Sequence, residues 1–167
     1  MNKEFDNTEK EIIKAINSID ATQLKKLTWG QLTNKIKWVL AELGENKMCC
    51  TVQASGLGDD TITEWLFDLT WLKLDENKRL KSLKLAVESE WKRELKDIQD
   101  DFEKLLVTNA EYRLMICAPK TENIETIKEY FEHAVKNYKL LSKGARFLIA
   151  IFDDCETGEI EFYSIIK

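Results

Sequence analysis

The chain has 167 residues, of which 44% are apolar and 33% charged, with one proline and six glycines. This length and composition predict one globular domain with its own core and exclude a disordered or low-complexity chain. The formal net charge of -5 excludes a nucleic-acid contact spread over the whole surface, because phosphate binding needs clustered Lys and Arg. A local basic patch is still compatible with it.

Cysteine spacing and hydropathy predict neither a zinc site nor a membrane anchor. The four cysteines form no Cys-x-x-Cys pair, and the single histidine lies far from them in sequence, so no zinc site is predicted. The N-terminus is charged, and the longest apolar run, 147–152, is too short to cross a bilayer. We therefore expect a reduced, cytoplasmic protein with no membrane partner.

The first predicted helix covers residues 8–19. Thr8 and Glu11 have the spacing of a capping box, in which each side chain bonds the backbone N–H of the other residue. Four isoleucines follow at helical intervals and give the helix an apolar face. We interpret residues 1–27 as an accessory segment outside the core of the fold.

A second helix is predicted to begin after Thr28. Thr28 and Gln31 repeat the capping-box spacing, and an apolar stripe follows on one face. Gly44 suits the left-handed residue that ends a helix. Glu42 lies near the C-terminal end of this helix.

Three strands are predicted next, over residues 48–54, 64–72 and 83–91. Gly-rich and Asp-rich segments, 56–60 and 75–78, read as the turns between them. Side chains alternate along a strand, which puts four residues of the second strand on one face: Trp65, Phe67, Leu69 and Trp71. In the third strand, Leu83, Leu85 and Val87 share one face, and the other carries Lys84, Ala86, Glu88 and Glu90.

The rest of the chain alternates between helices and strands. The predicted elements are a helix over 92–108, a strand over 112–118, a helix capped by Thr121, and strands over 145–152 and 159–167. Hairpins join the first three strands, whereas a strand-helix-strand unit favours a parallel crossover. The order predicts an α/β fold with a mixed central sheet and helices on both faces.

Three carboxylates fall on neighbouring predicted strands. Glu88 and Glu90 project from the same face, and Asp68 can lie beside them if the second and third strands pair. Converging carboxylates repel one another and are costly to desolvate, and a hard divalent cation removes that cost. The other interpretation is a solvated strand face, and the spacing alone leaves both open.

Three runs of residues carry a resemblance to a known family. They are Trp65-Leu66-Phe67-Asp68-Leu69-Thr70-Trp71, Leu85-Ala86-Val87-Glu88-Ser89-Glu90-Trp91 and Asp100-Asp101-Phe102-Glu103-Lys104-Leu105-Leu106. Together they resemble the PD-(D/E)XK nuclease-like superfamily, which includes restriction endonucleases. The element order matches the αβββαβ core of that superfamily over residues 28–118, with a C-terminal helix and strands over 119–167.

The resemblance implies roles for five residues. Asp68 is the motif aspartate, Glu88 is the motif acid, and Glu90 occupies the usual lysine position. Because that lysine is missing, Lys104 on the following helix is a candidate replacement, as in some members of the superfamily. Glu42 resembles a first-helix glutamate that assists metal binding, and the implied metal is Mg²⁺ or Mn²⁺.

Three functions follow as hypotheses. The first is Mg²⁺-dependent hydrolysis of phosphodiester bonds in DNA or RNA, and the second is a catalytically inactive nuclease-fold module for binding or assembly. The third is a small regulatory protein whose acidic face mimics nucleic acid. A basic stretch beside the carboxylates offers phosphate contacts: Lys73, Lys78, Arg79, Lys81 and Lys84. The expected partners are nucleic acid and either a second copy of the chain or a partner protein.

Overall fold

The computed structural model describes residues 4–19, 26–57, 66–152 and 159–167. Within these ranges the helices are α1 (Asn7–Asn17), α2 (Trp29–Asn46), α3 (Leu95–Val107) and α4 (Ile124–Asn137). The strands are β1 (Thr51–Ala54), β2 (Leu69–Leu74), β3 (Leu80–Glu90), β4 (Ala110–Cys117), β5 (Arg146–Phe152) and β6 (Ile160–Ile166). Thr121, predicted as a helix cap, opens a 3-10 turn (Thr121–Asn123) ahead of α4. Glu64, Trp65 and the glycine of the predicted 157–158 turn lie outside the described residues.

The strands form one mixed sheet in the order β1-β2-β3-β4-β5-β6. β1 to β3 pair as antiparallel neighbours, β3 to β5 are parallel, and β6 returns antiparallel to β5. This arrangement confirms the predicted α/β fold with hairpins first and a crossover later. It also lines up the C-terminal ends of β3 and β4, and α3 leads from the C-terminal end of β3 back to the beginning of β4.

Helices cover both faces of the sheet. One apolar layer contains α1 and α2, and a second contains α3 and α4. We refer to these as the α1/α2 face and the α3/α4 face. None of the helices in the described part of the chain combines the length and apolar character needed to span a bilayer.

Helix α1 packs into the hydrophobic core. Ile12 and Ile16 have no exposed surface and pack in the α1/α2 layer. The prediction that residues 1–27 are accessory to a core over 28–118 stays a prediction, and this helix packs against that part of the chain. Apolar burial of this kind is the main source of stability for a short helix.

The capping box of α1 lies two residues before the predicted one. Asp6 accepts a hydrogen bond from the Glu9 N–H, and Glu9 accepts one from the Asp6 N–H. The prediction of Thr8 and Glu11 was wrong because two pairs have the same spacing. Both residues of the earlier pair also reach Arg146, Glu9 at 2.5 Å and Asp6 at 3.3 Å, which favours the earlier start.

Helix α2 begins as predicted and ends later. The Thr28 and Gln31 capping box is confirmed, with each residue accepting the N–H of the other at 3.3 and 2.9 Å. Gly44, predicted to end the helix, lies inside it, since α2 continues to Asn46. The glycine is needed there for close packing against Trp71.

Candidate carboxylate–lysine site

The backbone ahead of β2 breaks the predicted alternation. Leu66 has a left-handed φ of 66°, and Asp68 lies in a bend before the strand begins at Leu69. Phe67 consequently packs in the α3/α4 layer, whereas Leu69 packs in the α1/α2 layer. The prediction that Phe67 and Leu69 share a face was wrong because the chain is not extended between them.

This bend presents the carboxylate of Asp68 to Ser89. Asp68 Oδ2 accepts hydrogen bonds from the Ser89 backbone N–H at 2.8 Å and from Ser89 Oγ at 2.6 Å. Asp68 Oδ1 lies 3.9 Å from the ammonium of Lys37 on α2, which in turn donates to Ser55 Oγ at 3.2 Å. Asp68 is therefore fixed by β3 and α2.

Glu88 is the buried carboxylate of the site. The residue is 3% exposed, and strand alternation turns its side chain away from the face to which Ser89 points. Lys104 on α3 places its ammonium 3.6 Å from Glu88 Oε2 and 2.7 Å from Asp101 Oδ1. The structure thus brings together two of the predicted site residues, Glu88 and Lys104.

The surroundings of Glu88 disfavour its charged form. Burial is the main cause that raises the pKa of Glu88, to about 8, and the charges of Asp68 and Asp101 raise it further while Lys104 opposes them. Among the described residues, Glu88 Oε1 has no hydrogen-bond partner. A buried carboxylate with a free oxygen and an elevated pKa is typical of a functional site.

The remaining predicted ligands do not converge on Glu88. Glu90 Oε1 accepts a hydrogen bond from the Lys92 N–H at 2.7 Å, and Glu42 is exposed on α2. Within the described ranges, no group of three or more His, Cys, Asp or Glu side chains could hold a metal ion. Asp68 and Asp101 act on Glu88 through their charges, which contribute to its raised pKa.

A bulge in β3 removes Lys84 from the predicted carboxylate face. The register between β2 and β3 shifts between Trp71 and Leu72, which leaves Lys84 as an extra residue. Its ammonium contacts Glu111 at 2.5 Å and lies 5.0 Å from the ring centroid of Tyr112, which packs in the α1/α2 layer. The predicted common face of Lys84 and the glutamates was therefore wrong.

The same bulge separates residues that were predicted to lie together on the other face of β3. Leu85 and Val87 belong to the α1/α2 layer, whereas Leu83 packs against the α3/α4 layer. A strict period of two cannot continue through an inserted residue. The prediction of a shared face for Leu83 and the other two was wrong for this reason.

Two residues that hold Asp68 were missed in the sequence. Ser89 is the middle residue of the Glu-x-Glu run. Because side chains alternate along a strand, it was predicted to point away from Glu88 and Glu90 and was not considered. Lys37 precedes Leu40 and Gly44 by three and seven residues, so it lies on the buried face of α2. A lysine within an apolar helical stripe is the signal that could have identified it.

No protein family model matches the chain, and no curated protein matches it either. The resemblance to the PD-(D/E)XK nuclease-like superfamily is therefore a prediction from three short runs and the element order. A functional argument for this protein must come from its own side chains.

Proposed function

We propose that this protein is a divalent-metal-dependent phosphodiesterase that acts on nucleic acid through Glu88 and Lys104, with Asp68 contributing only its nearby charge. The observation that carries the proposal is the contact of Lys104 with the buried Glu88. The order of α2, β1 to β3, α3 and β4 supports it as well, since this is the αβββαβ order that the resemblance implies.

The reaction needs a cation close to the phosphorus. In phosphodiester hydrolysis, a water oxygen bonds to phosphorus, the bond to the leaving oxygen breaks, and that oxygen takes up a proton. The transition state carries extra negative charge on the phosphoryl oxygens, which fixed positive groups stabilise. The side chain of Lys104 is half exposed, so it can contact a substrate phosphate while staying beside Glu88.

The carboxylates suit a hard cation. Mg²⁺ and Mn²⁺ prefer carboxylate oxygens, and Glu88 Oε1 is a buried oxygen that lacks a partner among the described residues. Glu88 would hold the ion, with water in the remaining positions, whereas Asp68 bonds Ser89 and lies near Lys37 on the other face of the sheet. When bound, such an ion activates water and stabilises the charge that develops on the phosphate.

A non-catalytic binding or assembly module is the second candidate. Each carboxylate already has a lysine nearby, Lys37 for Asp68 and Lys104 for Glu88. These lysines offset part of the negative charge without a metal ion. An inactive domain with the same fold would need nothing further at this site.

The proposed partners are nucleic acid and a second chain, and the proposed compartment is the cytoplasm. The β2–β3 hairpin exposes Lys78, Arg79 and Lys81, which supply phosphate contacts for nucleic acid. A second copy or a partner chain would add contact area that a domain of this size lacks. Cys49, Cys50 and Cys117 are free thiols, which suits the reducing cytoplasm.

The test of the proposal is cleavage by purified protein. Single-stranded and duplex DNA and RNA are incubated with Mg²⁺ or Mn²⁺, and the products are separated by electrophoresis. We expect Glu88→Gln and Lys104→Met each to lower the cleavage rate by about 100-fold or more, because each removes a group that acts on the reacting phosphate. Lys120→Met is the matched control, since Lys120 pairs with Glu94 on the surface at 3.0 Å.

Calorimetry separates the two candidates. The phosphodiesterase should bind Mg²⁺ or Mn²⁺ at millimolar concentration, and Glu88→Gln should weaken that binding. Cleavage that survives Glu88→Gln would contradict the proposed site. A folded protein that neither binds these ions nor cleaves any of the four substrates would support the binding module.

A further inference from the structure

An open groove adjoins the candidate site on the α3/α4 face. It lies between the residues ahead of β2, the beginning of β3 and the C-terminal end of α3, with a volume of about 660 Å³. Lys104 lines the groove and also contacts Glu88. The groove is therefore continuous with the proposed reaction centre.

Large apolar side chains lie uncovered in this groove. Leu66, Leu80 and Val107 are 73%, 52% and 69% exposed, and all three line it. Grouped apolar side chains in a concave surface indicate a binding site, whereas scattered ones do not. The volume falls within the range of about 300–1,000 Å³ that is usual for pockets that bind small organic groups.

The polar lining favours an anionic ligand. Lys81 and Lys104 border the groove, and its described lining residues include no carboxylate, although the chain carries a net charge of -5. Ser82, Thr108 and Asn109 add hydrogen-bonding groups among the apolar side chains. A ligand with a flat apolar ring, polar ring edges and an attached phosphate matches this set.

We propose that the groove binds an unpaired nucleotide next to the scissile phosphate, so that single-stranded nucleic acid is the preferred substrate. This inference rests on the proposed phosphodiesterase function. The base contacts the apolar side chains with its faces, its edges meet the polar groups, and its phosphates contact Lys81 and Lys104. A base in a duplex is stacked and paired, and it enters such a groove only after extrusion from the helix, which costs free energy.

The experiment measures binding without cleavage. Fluorescence anisotropy in EDTA gives the affinity for a labelled 12-nucleotide single strand of mixed sequence and for the corresponding duplex. We expect tighter binding of the single strand, and a loss of about tenfold in Leu80→Ala/Val107→Ala, because two apolar contacts to the base are removed. Lys81→Gln should reduce the slope of log affinity against log salt concentration by about one, as expected for one phosphate contact.

A matched control uses the turn after α4. Lys139→Gln/Leu140→Ala also removes one exposed lysine and one exposed leucine, at residues that do not line the groove. This variant should bind the single strand as the unchanged protein does. Circular dichroism confirms that all the variants remain folded.

Three results would overturn the inference. The first is equal affinity of the unchanged protein for the single strand and the duplex. The second is unchanged single-strand binding in both groove variants. The third is that the groove substitutions only convert a dimer to a monomer, as measured by light scattering. Failure of the proposed function is distinguishable from these results. If only the proposed function fails, the single strand binds in the groove of the unchanged protein but is not cleaved when Mg²⁺ is present. If both proposals hold, the unchanged protein cleaves the strand, whereas Glu88→Gln binds it without cleaving it.

Discussion

The position of Glu88 in β3 changes the protonation of its carboxyl group. Its place near the end of β3 puts the carboxylate under α3, where burial removes most of its hydration. Asp68 and Asp101 add negative charge nearby, and the single ammonium of Lys104 only partly offsets them. The carboxyl group therefore keeps a proton at pH values where an exposed glutamate is ionised.

Stability should depend on pH through Glu88. Its pKa is raised from 4.5 to about 8 in the folded protein, so its contribution is fully present below pH 4.5 and is lost as pH rises through about 8. The free energy of unfolding should fall across this window, by at most about 1.4 kcal/mol per pH unit from this group. Glu88→Gln should remove that slope.

The measurement is chemical denaturation of both proteins between pH 5 and pH 9. The difference in unfolding free energy, unchanged protein minus Glu88→Gln, should fall as pH rises. Glu129→Gln, which alters an exposed glutamate on α4, controls for the loss of one charge. A difference that rises with pH would contradict the buried, protonated state of Glu88.

The candidate site was predictable in part at the residue scale. Glu88 and Lys104 were both identified from the sequence, and they meet at 3.6 Å. Glu90 was expected beside them but bonds the N–H of Lys92, because a carboxylate at a strand end can reach the backbone that follows. The contacts of Lys37 with Asp68 depend on how α2 packs, which no motif spacing records.

At the scale of elements, α2 and β2 pack closely enough to exclude a methyl group. A Cβ added at Gly44 would lie 2.5 Å from Trp71 Nε1 and 2.8 Å from Val52 Cγ2. Trp71 Nε1 also donates a hydrogen bond to the Leu40 carbonyl oxygen at 3.0 Å. The glycine therefore serves packing within the helix and not the helix terminus for which it was predicted.

Gly44→Ala should destabilise the protein despite alanine's higher helix propensity. Overpacking against Trp71 should lower the unfolding free energy by about 1–3 kcal/mol, measured by guanidinium denaturation. Gly30→Ala in the same helix is the control, because a Cβ there meets no atom within 4 Å. That control should be neutral or stabilising by up to about 1 kcal/mol, and a similar loss in both variants would argue against overpacking.

At the scale of the whole molecule, one buried carboxylate ties the two ends of the chain together. Glu9 on α1 has no exposed surface, and it accepts hydrogen bonds from Arg146 on β5 at 2.5 Å and from Ser164 on β6 at 2.7 Å. Arg146 also lies 3.3 Å from Asp6. These contacts dock the N-terminal helix on the last two strands.

Removing the arginine should leave a buried charge without its main partner. Arg146→Met should lower the unfolding free energy by about 3 kcal/mol, because breaking one side of a buried ion pair is costly. Lys128→Met is the control: Lys128 also joins a helix to β6, through Glu161 at 2.8 Å, but its partners are exposed. The control should cost less than about 1 kcal/mol, and equal losses would show that burial of Glu9 is not the cause.

The sequence by itself determined the element order, the mixed sheet with helices on both faces, and the presence of antiparallel hairpins first and a parallel crossover later. These follow from local periodicity and turn residues, which act over a few neighbouring positions. It also identified Glu88 and Lys104 as candidate residues. Both came from the resemblance to the nuclease-like superfamily, and they lie on regular elements that the local pattern predicted.

Only the tertiary structure decided which side chains meet. The bend at Asp68 and the bulge at Lys84 each shift the alternation of a strand by one residue, and such a shift moves every later side chain to the other face. The position of Asp68 then depends on Lys37, which is far from it in sequence and reaches it through the packing of α2. Contacts between distant segments are set by how the layers fit together, and a pattern of neighbouring residues carries no record of that fit.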